Sequence, residues 1–264
     1  MFWGIKMKNR KILYFSNDTD EVVHFNIKRK KIDGNYKYQS KNPIYIWTSF
    51  VVYRLILTPI FWLYLKIFQR IEIKNRKVLK KVNGGYYIYS NHTNQICDAV
   101  CPTFICNPRK PHVVVNADNI SLPFLGWIIK MCGALPLPDD ITSAKNFSST
   151  IKELILKKQP IFIYPEAHLW PYYTKIRQFP SNAFHYPVET NSPIFTSTTT
   201  YHKRKFSKKQ KIKIFVDGPF YPDLTLNKQE QKQKLCETAF KQMCNRASLN
   251  SYEYVKYIKR SSDD

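Results

Sequence analysis

A chain of 264 residues, 44% of them hydrophobic, has enough apolar side chain to bury a core, which excludes wholesale disorder and suits one large domain. Its seven glycines form no GxGxxG and no GxxxxGK[ST] run, which excludes the glycine-rich nucleotide-binding loops. Forty-two lysines and arginines against 19 acidic residues leave a net charge of +23, so anionic partners are expected: nucleic acid, anionic lipid or an acidic carrier.

Residues 1–42 read as a basic arm. MFWGIKMKNRKILYF lacks the long apolar run and small-residue cleavage site of a secretory signal, so none is expected. IKRKKIDGNYKYQSKN carries a charge run and an Asp33-Gly34 turn with little periodicity, which predicts a solvated segment.

Residues 43–70 differ. Between Ile44 and Leu65 the only charge is Arg54, a length that would span a bilayer but is interrupted by Arg54 and Pro59. Trp47, Tyr53, Trp62 and Tyr64 are aromatics of the membrane-interface kind. Lys37 and Lys41 stand before the run, and Lys66, Arg70, Lys74, Arg76 and Lys77 after it. Positive charge on both flanks predicts a re-entrant or interfacial helical pair, monotopic or peripheral, rather than a true span.

Residues 71–250 alternate short apolar runs with helical stretches. Strands are predicted at 86–90, 112–116, 161–164, 193–201 and 211–216, and helices at 121–133, 142–158 and 226–247. In the second helix Phe147, Ile151, Leu154 and Ile155 recur at helical spacing. The alternation implies an α/β fold, a single sheet flanked by helices, followed by a tail at 251–264. Cys97, Cys101, Cys106, Cys132, Cys236 and Cys244 form no CxxC pair and sit among apolar neighbours. They are expected to be reduced and mostly buried, in a cytosolic compartment, with no metal site.

In such folds chemistry gathers beyond the carboxyl ends of the strands, here in NHTNQICD and PEAHLWPYYTKIR. A neutral histidine is suited to take a proton near pH 7, and a carboxylate on its other nitrogen orients it and stabilises the imidazolium. His92 with Asp98 fits that pairing. With no GxSxG nucleophile in the chain, His92 is expected to activate a hydroxyl of the substrate, for acyl or phosphoryl transfer to an alcohol.

SNHTNQICDA, PFLGWIIKMCGALPLP and YPEAHLW, in that order after an apolar, basic segment, resemble the glycerol-phosphate and lysophosphatidate acyltransferases, marked by NHxxxxD and FPEG motifs. The likeness spans roughly residues 43 to 225. It implies that His92 is the general base and Asp98 its orienting carboxylate. It implies as well that Asn91 and Glu166 belong to the substrate-binding loops, and that residues 133–138 line the same cleft. It further implies that acyl-coenzyme A or acyl carrier protein donates the acyl group to a lysoglycerolipid, with no cofactor, at an anionic membrane surface on the cytoplasmic face of the cell membrane.

Three departures stand out. Five residues separate His92 from Asp98 where the family has four, so the two meet only if residues 93–97 leave regular helix; Pro102 suits a helix that starts late. Otherwise Asp98 is expected to cap the helix. Ala167, His168 and Leu169 replace the usual Gly-Thr-Arg, and Asp139 and Asp140 stand where an arginine is usual. Lys175 and Arg177 are then candidates to hold a phosphate, with two solvated surface cations as the alternative, and His168 is a candidate second polar contact. Residues 203–213, with seven cations and no anion, read as a solvated hairpin able to meet anionic headgroups. The competing assignment is a basic, non-catalytic membrane- or nucleic-acid-binding protein with a decayed motif. The aromatic residues concentrate in the apolar run rather than among the cations, so nucleic acid is not the expected partner.

Overall fold

The computed structural model describes residues 12–23, 28–204 and 207–260. Residues 1–11 of the expected arm, Lys205 and Phe206 of the basic run, and residues 261–264 of the expected tail lie outside the described residues. The chain runs β1 (Ile12–Phe15), α1 (Pro43–Gln69), β2 (Glu72–Lys74), β3 (Tyr86–Ser90), α2 (Gln95–Cys106), β4 (His112–Val115), α3 (Ala117–Ser121) and α4 (Leu125–Met131). It continues through β5 (Ala134–Pro136), α5 (Ile141–Leu156), β6 (Pro160–Ile163), α6 (His185–Glu189), β7 (Ile194–Arg204), β8 (Ser207–Phe220), α7 (Lys228–Ala247) and β9 (Lys256–Lys259).

Seven strands form one mixed sheet in the order β2-β8-β7-β3-β6-β4-β5. Strands β7, β3, β6, β4 and β5 run parallel, while β8 runs antiparallel to β7. Every residue of β3 and β6 is buried, as parallel strands covered on both faces require. Their two-residue period divides the core. Tyr86 and Ile88 face Leu65 of α1 and Val100 and Ile105 of α2; Tyr87 and Tyr89 face Phe147 and Ile151 of α5 and Leu235 and Met243 of α7. The fold is thus α/β, with a central sheet flanked by helices.

Residues 43–69 form one 27-residue helix, not a helical pair, long and apolar enough by length and composition to cross a membrane. Pro59 does not break it, because the stretches Val51–Leu57 and Tyr64–Gln69 are wound in the wider i→i+5 register. The winding also sets which side faces the domain. Buried or half-buried residues recur at every fourth position, at Tyr45, Ser49, Tyr53, Leu57, Phe61, Leu65 and Gln69. A pure α-helix would turn such a line by about 40° per step; the wider turns cancel the drift. The line lies along α2, where the Tyr53 hydroxyl donates to Thr103 Oγ1 at 3.2 Å and Arg54 to Asn107 Oδ1 at 3.2 Å. Ile44, Trp47, Ile60, Trp62, Ile67 and Phe68 face outward, Trp47 67% exposed and Phe68 63%.

The described parts of the arm and the tail pack into the domain. Ile32 is fully buried beside Ala117 and Ile120; its N–H donates to Asp139 Oδ2 at 2.7 Å, and Arg29 pairs with Asp139 at 2.8 Å. Asp139 is therefore occupied by the arm, and Asp140 caps α5 by accepting the Ser143 N–H. β9, from the expected tail, pairs in parallel with β1 in a separate two-stranded sheet. Of the helix predicted over 121–133, residues 125–131 form α4; Leu122, before Pro123, is extended and separates it from the preceding α3. The two pieces cross so closely that a Cβ on Gly126 would lie 2.1 Å from the Ile120 carbonyl oxygen.

His112, at the start of β4, is pushed down to about 3 by burial and by the neighbouring Lys110 and Lys157 ammonium groups. Above about pH 6.5 the imidazole is neutral folded and unfolded, and His112 adds nothing to the pH dependence. Between there and about pH 3 only the unfolded chain takes up its proton, so stability is lost as pH falls. Thermal unfolding in detergent should show that acid limb, and His112→Gln should make it shallower.

Candidate active site

β3 and β6 are parallel neighbours, so the segments leaving their carboxyl ends, 91–94 and 164–180, lie side by side. Asn91 is 1% exposed, and its amide clamps β7: Nδ2 donates to the Thr199 carbonyl at 3.1 Å and Oδ1 accepts the Thr199 N–H at 2.8 Å. This corrects its expected place among the substrate contacts, since both amide atoms are spent on the backbone. Thr93, also buried, shares a hydrogen bond with the Tyr201 hydroxyl at 2.9 Å.

His92 Nδ1 lies 2.7 Å from Asp98 Oδ2. The six-residue step closes because α2 begins at Gln95, and residues 91–94 leave the strand without helical winding. Asn94 is the N-cap, accepting the Cys97 N–H at 3.1 Å. Asp98 therefore sits in the first turn and does not cap the helix, and Pro102 lies inside the helix rather than at a late start. Asp98 Oδ2 also receives the Asn94 N–H at 2.9 Å, which fixes the carboxylate from a second direction. Asp98 is 5% exposed on its side chain and His92 23%. With Nδ1 turned to Asp98, Nε2 makes no hydrogen bond among the described residues and is the nitrogen left to meet a substrate.

Glu166 holds the second loop against the first. Oε2 accepts the His92 N–H at 3.1 Å and Oε1 the Arg177 N–H at 3.0 Å, while Arg177 Nη2 pairs with Oε2 at 3.2 Å. The Arg177 and Glu166 side chains are 1% and 0% exposed. Burial pushes the Glu166 carboxyl above the usual carboxylate range, against the pull of the guanidinium and of the two backbone N–H groups. The guanidinium also donates to the carbonyls of His168 and, at 3.0 Å, Asp18, and lies over the Trp170 ring at 4.7 Å.

Arg177 is thus neither a surface cation nor a free phosphate ligand. Lys175, at a bend two residues earlier, is exposed. His168 is half-buried, and only its backbone takes part in the network. Ala167 stands at φ +61°, where the family's glycine would be unstrained, at a cost of roughly 1 kcal/mol. β5 is separated from β3 by β6 and β4, so residues 133–138 are not neighbours of the histidine strand. In the basic run, Arg204 donates to the Gln69 carbonyl at 2.8 Å and Lys211 pairs with Glu72, which fastens the β7–β8 hairpin beside the end of α1.

Several residues escaped the sequence argument. Trp170 is fully buried, donates its N–H to the Asp20 carbonyl at 2.8 Å and stacks on Tyr257 with centroids 5.1 Å apart. Tyr164 packs its ring on His92, centroids 4.6 Å apart. Its only sequence signal is that Tyr stands where the motif has Phe. Among the described residues no three His, Cys, Asp or Glu side chains converge on a metal-sized site.

Removing one partner of the buried pair strands the other charge. Arg177→Ala should cost about 3–5 kcal/mol in unfolding experiments. Glu166→Gln, whose side-chain carbonyl still accepts the His92 N–H, should cost less.

A family model described as Acyltransferase matches residues 70–200, the segment that holds both motif loops. The fold is similar to the crystal structure of the 1-acyl-sn-glycerophosphate (LPA) acyltransferase PlsC from Thermotoga maritima, with a TM-score of 0.54 and 12% identity over 79% of this chain and 89% of that one. No curated protein gives a significant match. At that identity the structural likeness speaks for the fold, and the family model together with the motif residues speaks for the lineage: the chain belongs to the acyltransferase family.

Proposed function

We propose that the protein transfers a fatty acyl group from a coenzyme A or acyl carrier protein thioester to a free hydroxyl of a lysoglycerolipid, with 1-acylglycerol-3-phosphate as the acceptor. The observation that carries this reading is the 2.7 Å contact between His92 Nδ1 and the buried Asp98 carboxylate, with Nε2 left open. In the proposed reaction Nε2 takes the proton of the acceptor hydroxyl as its oxygen attacks the thioester carbon, and Asp98 stabilises the imidazolium. The tetrahedral oxyanion collapses, the carbon–sulfur bond breaks, and the departing sulfur takes the proton back from His92. The products are the ester and the free thiol, with no acyl-enzyme formed. Lys175, exposed in the second loop, is the cation of the expected pair that remains for the acceptor's phosphate.

We infer attachment to an anionic membrane surface, at the cytoplasmic face of the cell membrane. The outward apolar side of α1 supports it, as do the flanking cations and the basic hairpin tied to the helix end. The six free cysteines accord with a reducing compartment.

The test of the chemistry is acyl transfer by the purified protein in detergent, with labelled acyl-coenzyme A or acyl carrier protein and a panel of lysolipids. His92→Ala should lose at least about 10³-fold in rate and Asp98→Asn about 10²–10⁴-fold. A wild-type protein that is folded yet forms no labelled ester with any acceptor would sink the reading. For the membrane role, flotation with anionic vesicles should survive high salt in the wild type. Trp47→Glu combined with Trp62→Glu should shift the protein to the soluble fraction.

A further inference from the structure

The carbonyl of Asp98 is an orphan made by the sequence. In a regular helix it would accept the N–H of residue 102, but residue 102 is proline, inside α2, and has none. The acceptor is filled from another element: the Tyr164 hydroxyl donates to it at 2.6 Å. Tyr164 follows directly on β6, which is hydrogen-bonded to β3, so the donor stands on the same sheet that carries His92. Its ring lies against the imidazole at 31° to it, with the Phe162 ring on its other flank at 5.5 Å. Burial pushes the phenol well above its ordinary range, so it stays a donor. The phenylalanine that begins the motif these residues resemble has no hydroxyl to offer.

We propose that Tyr164 is a positioning residue for acyl transfer: its hydroxyl fixes the Asp98 turn that Pro102 leaves unbonded, and so holds the carboxylate in register with His92 across the longer six-residue step. The inference rests on His92 being the base. Asp98 is held at four points: its own N–H on the Asn94 carbonyl at 2.7 Å, the Asn94 N–H and His92 Nδ1 on its carboxylate, and Tyr164 on its carbonyl. Removing the last leaves the Asp98 carbonyl without the partner that Pro102 cannot supply, and loosens the residue whose side chain must hold His92.

Tyr164→Phe, Pro102→Ala and the double variant separate this from a packing role, since alanine at 102 restores the missing N–H. Tyr164→Phe should lower kcat about tenfold with KM unchanged. It should also move His92 away from the Nδ1-protonated tautomer, read from the imidazole ¹⁵N shifts of the whole protein in detergent. Adding Pro102→Ala to Tyr164→Phe should recover most of both losses. A Tyr164→Phe enzyme with kcat within twofold of wild type and an unchanged tautomer overturns the proposal, as does an equal loss in both backgrounds. A wild type that transfers no acyl group would end the functional reading alone, because the tautomer measurement decides the positioning role without turnover.

Discussion

The carboxylate of Glu166 is a charge inside the protein, and two loops are arranged around the need to satisfy it. A buried carboxylate is tolerated only with hydrogen-bond donors on both oxygens and a counter-charge nearby. Here the donors are the backbone N–H groups of His92 and Arg177, so meeting that need fixes the base-bearing segment and the second loop in one step. The counter-charge, Arg177, brings a requirement of its own, a planar fork of donors that must also be filled. Its two terminal nitrogens reach the Asp18 and His168 carbonyls, and its face lies on Trp170. A segment far upstream is thereby drawn to the back of the site by a demand that begins at one glutamate.

The strands at the centre of the sheet were legible because they are local: YYIY and IFIY are short aromatic and aliphatic runs of strand-forming residues. The stripe of α5 was legible for the same reason. The dyad was legible as residue types but not as geometry, because the closing of His92 on Asp98 depends on where the helix begins, and that is decided by Asn94 capping Cys97. Other features were hidden because their partners are remote. Nothing in IKRKKIDG announces that Ile32 is buried, since the acceptor of its N–H lies 107 positions away. Arg177 read as a phosphate ligand, or else a surface cation, because nothing local marks it as buried; its burial follows from Glu166, whose own burial depends on the sheet.

The long apolar helix illustrates a different limit. Read at 3.6 residues per turn, residues 43–69 show no single inward stripe, and Pro59 suggests a break. The inward line has a strict period of four, which becomes a straight seam only when α and i→i+5 turns alternate. The same widening upstream of Pro59 lets Thr58 bond back to Tyr53 with both N–H and hydroxyl, so the helix passes the proline. A pattern search tied to one helical period cannot find such a seam.

The pairing of β1 with β9 has a consequence for the order in which the protein matures on the ribosome. Trp170, which covers the Arg177 guanidinium, is sandwiched by groups from the two ends of the described chain: Phe15 edge-on at 4.8 Å and Tyr257 face-on at 5.1 Å. During vectorial synthesis α1 and the central strands emerge early, and domains begin to fold as they appear. The wall behind Glu166 cannot close until residues 256–259 have been translated and laid alongside β1. The nascent protein therefore presents its apolar helix before the wall of its site is complete.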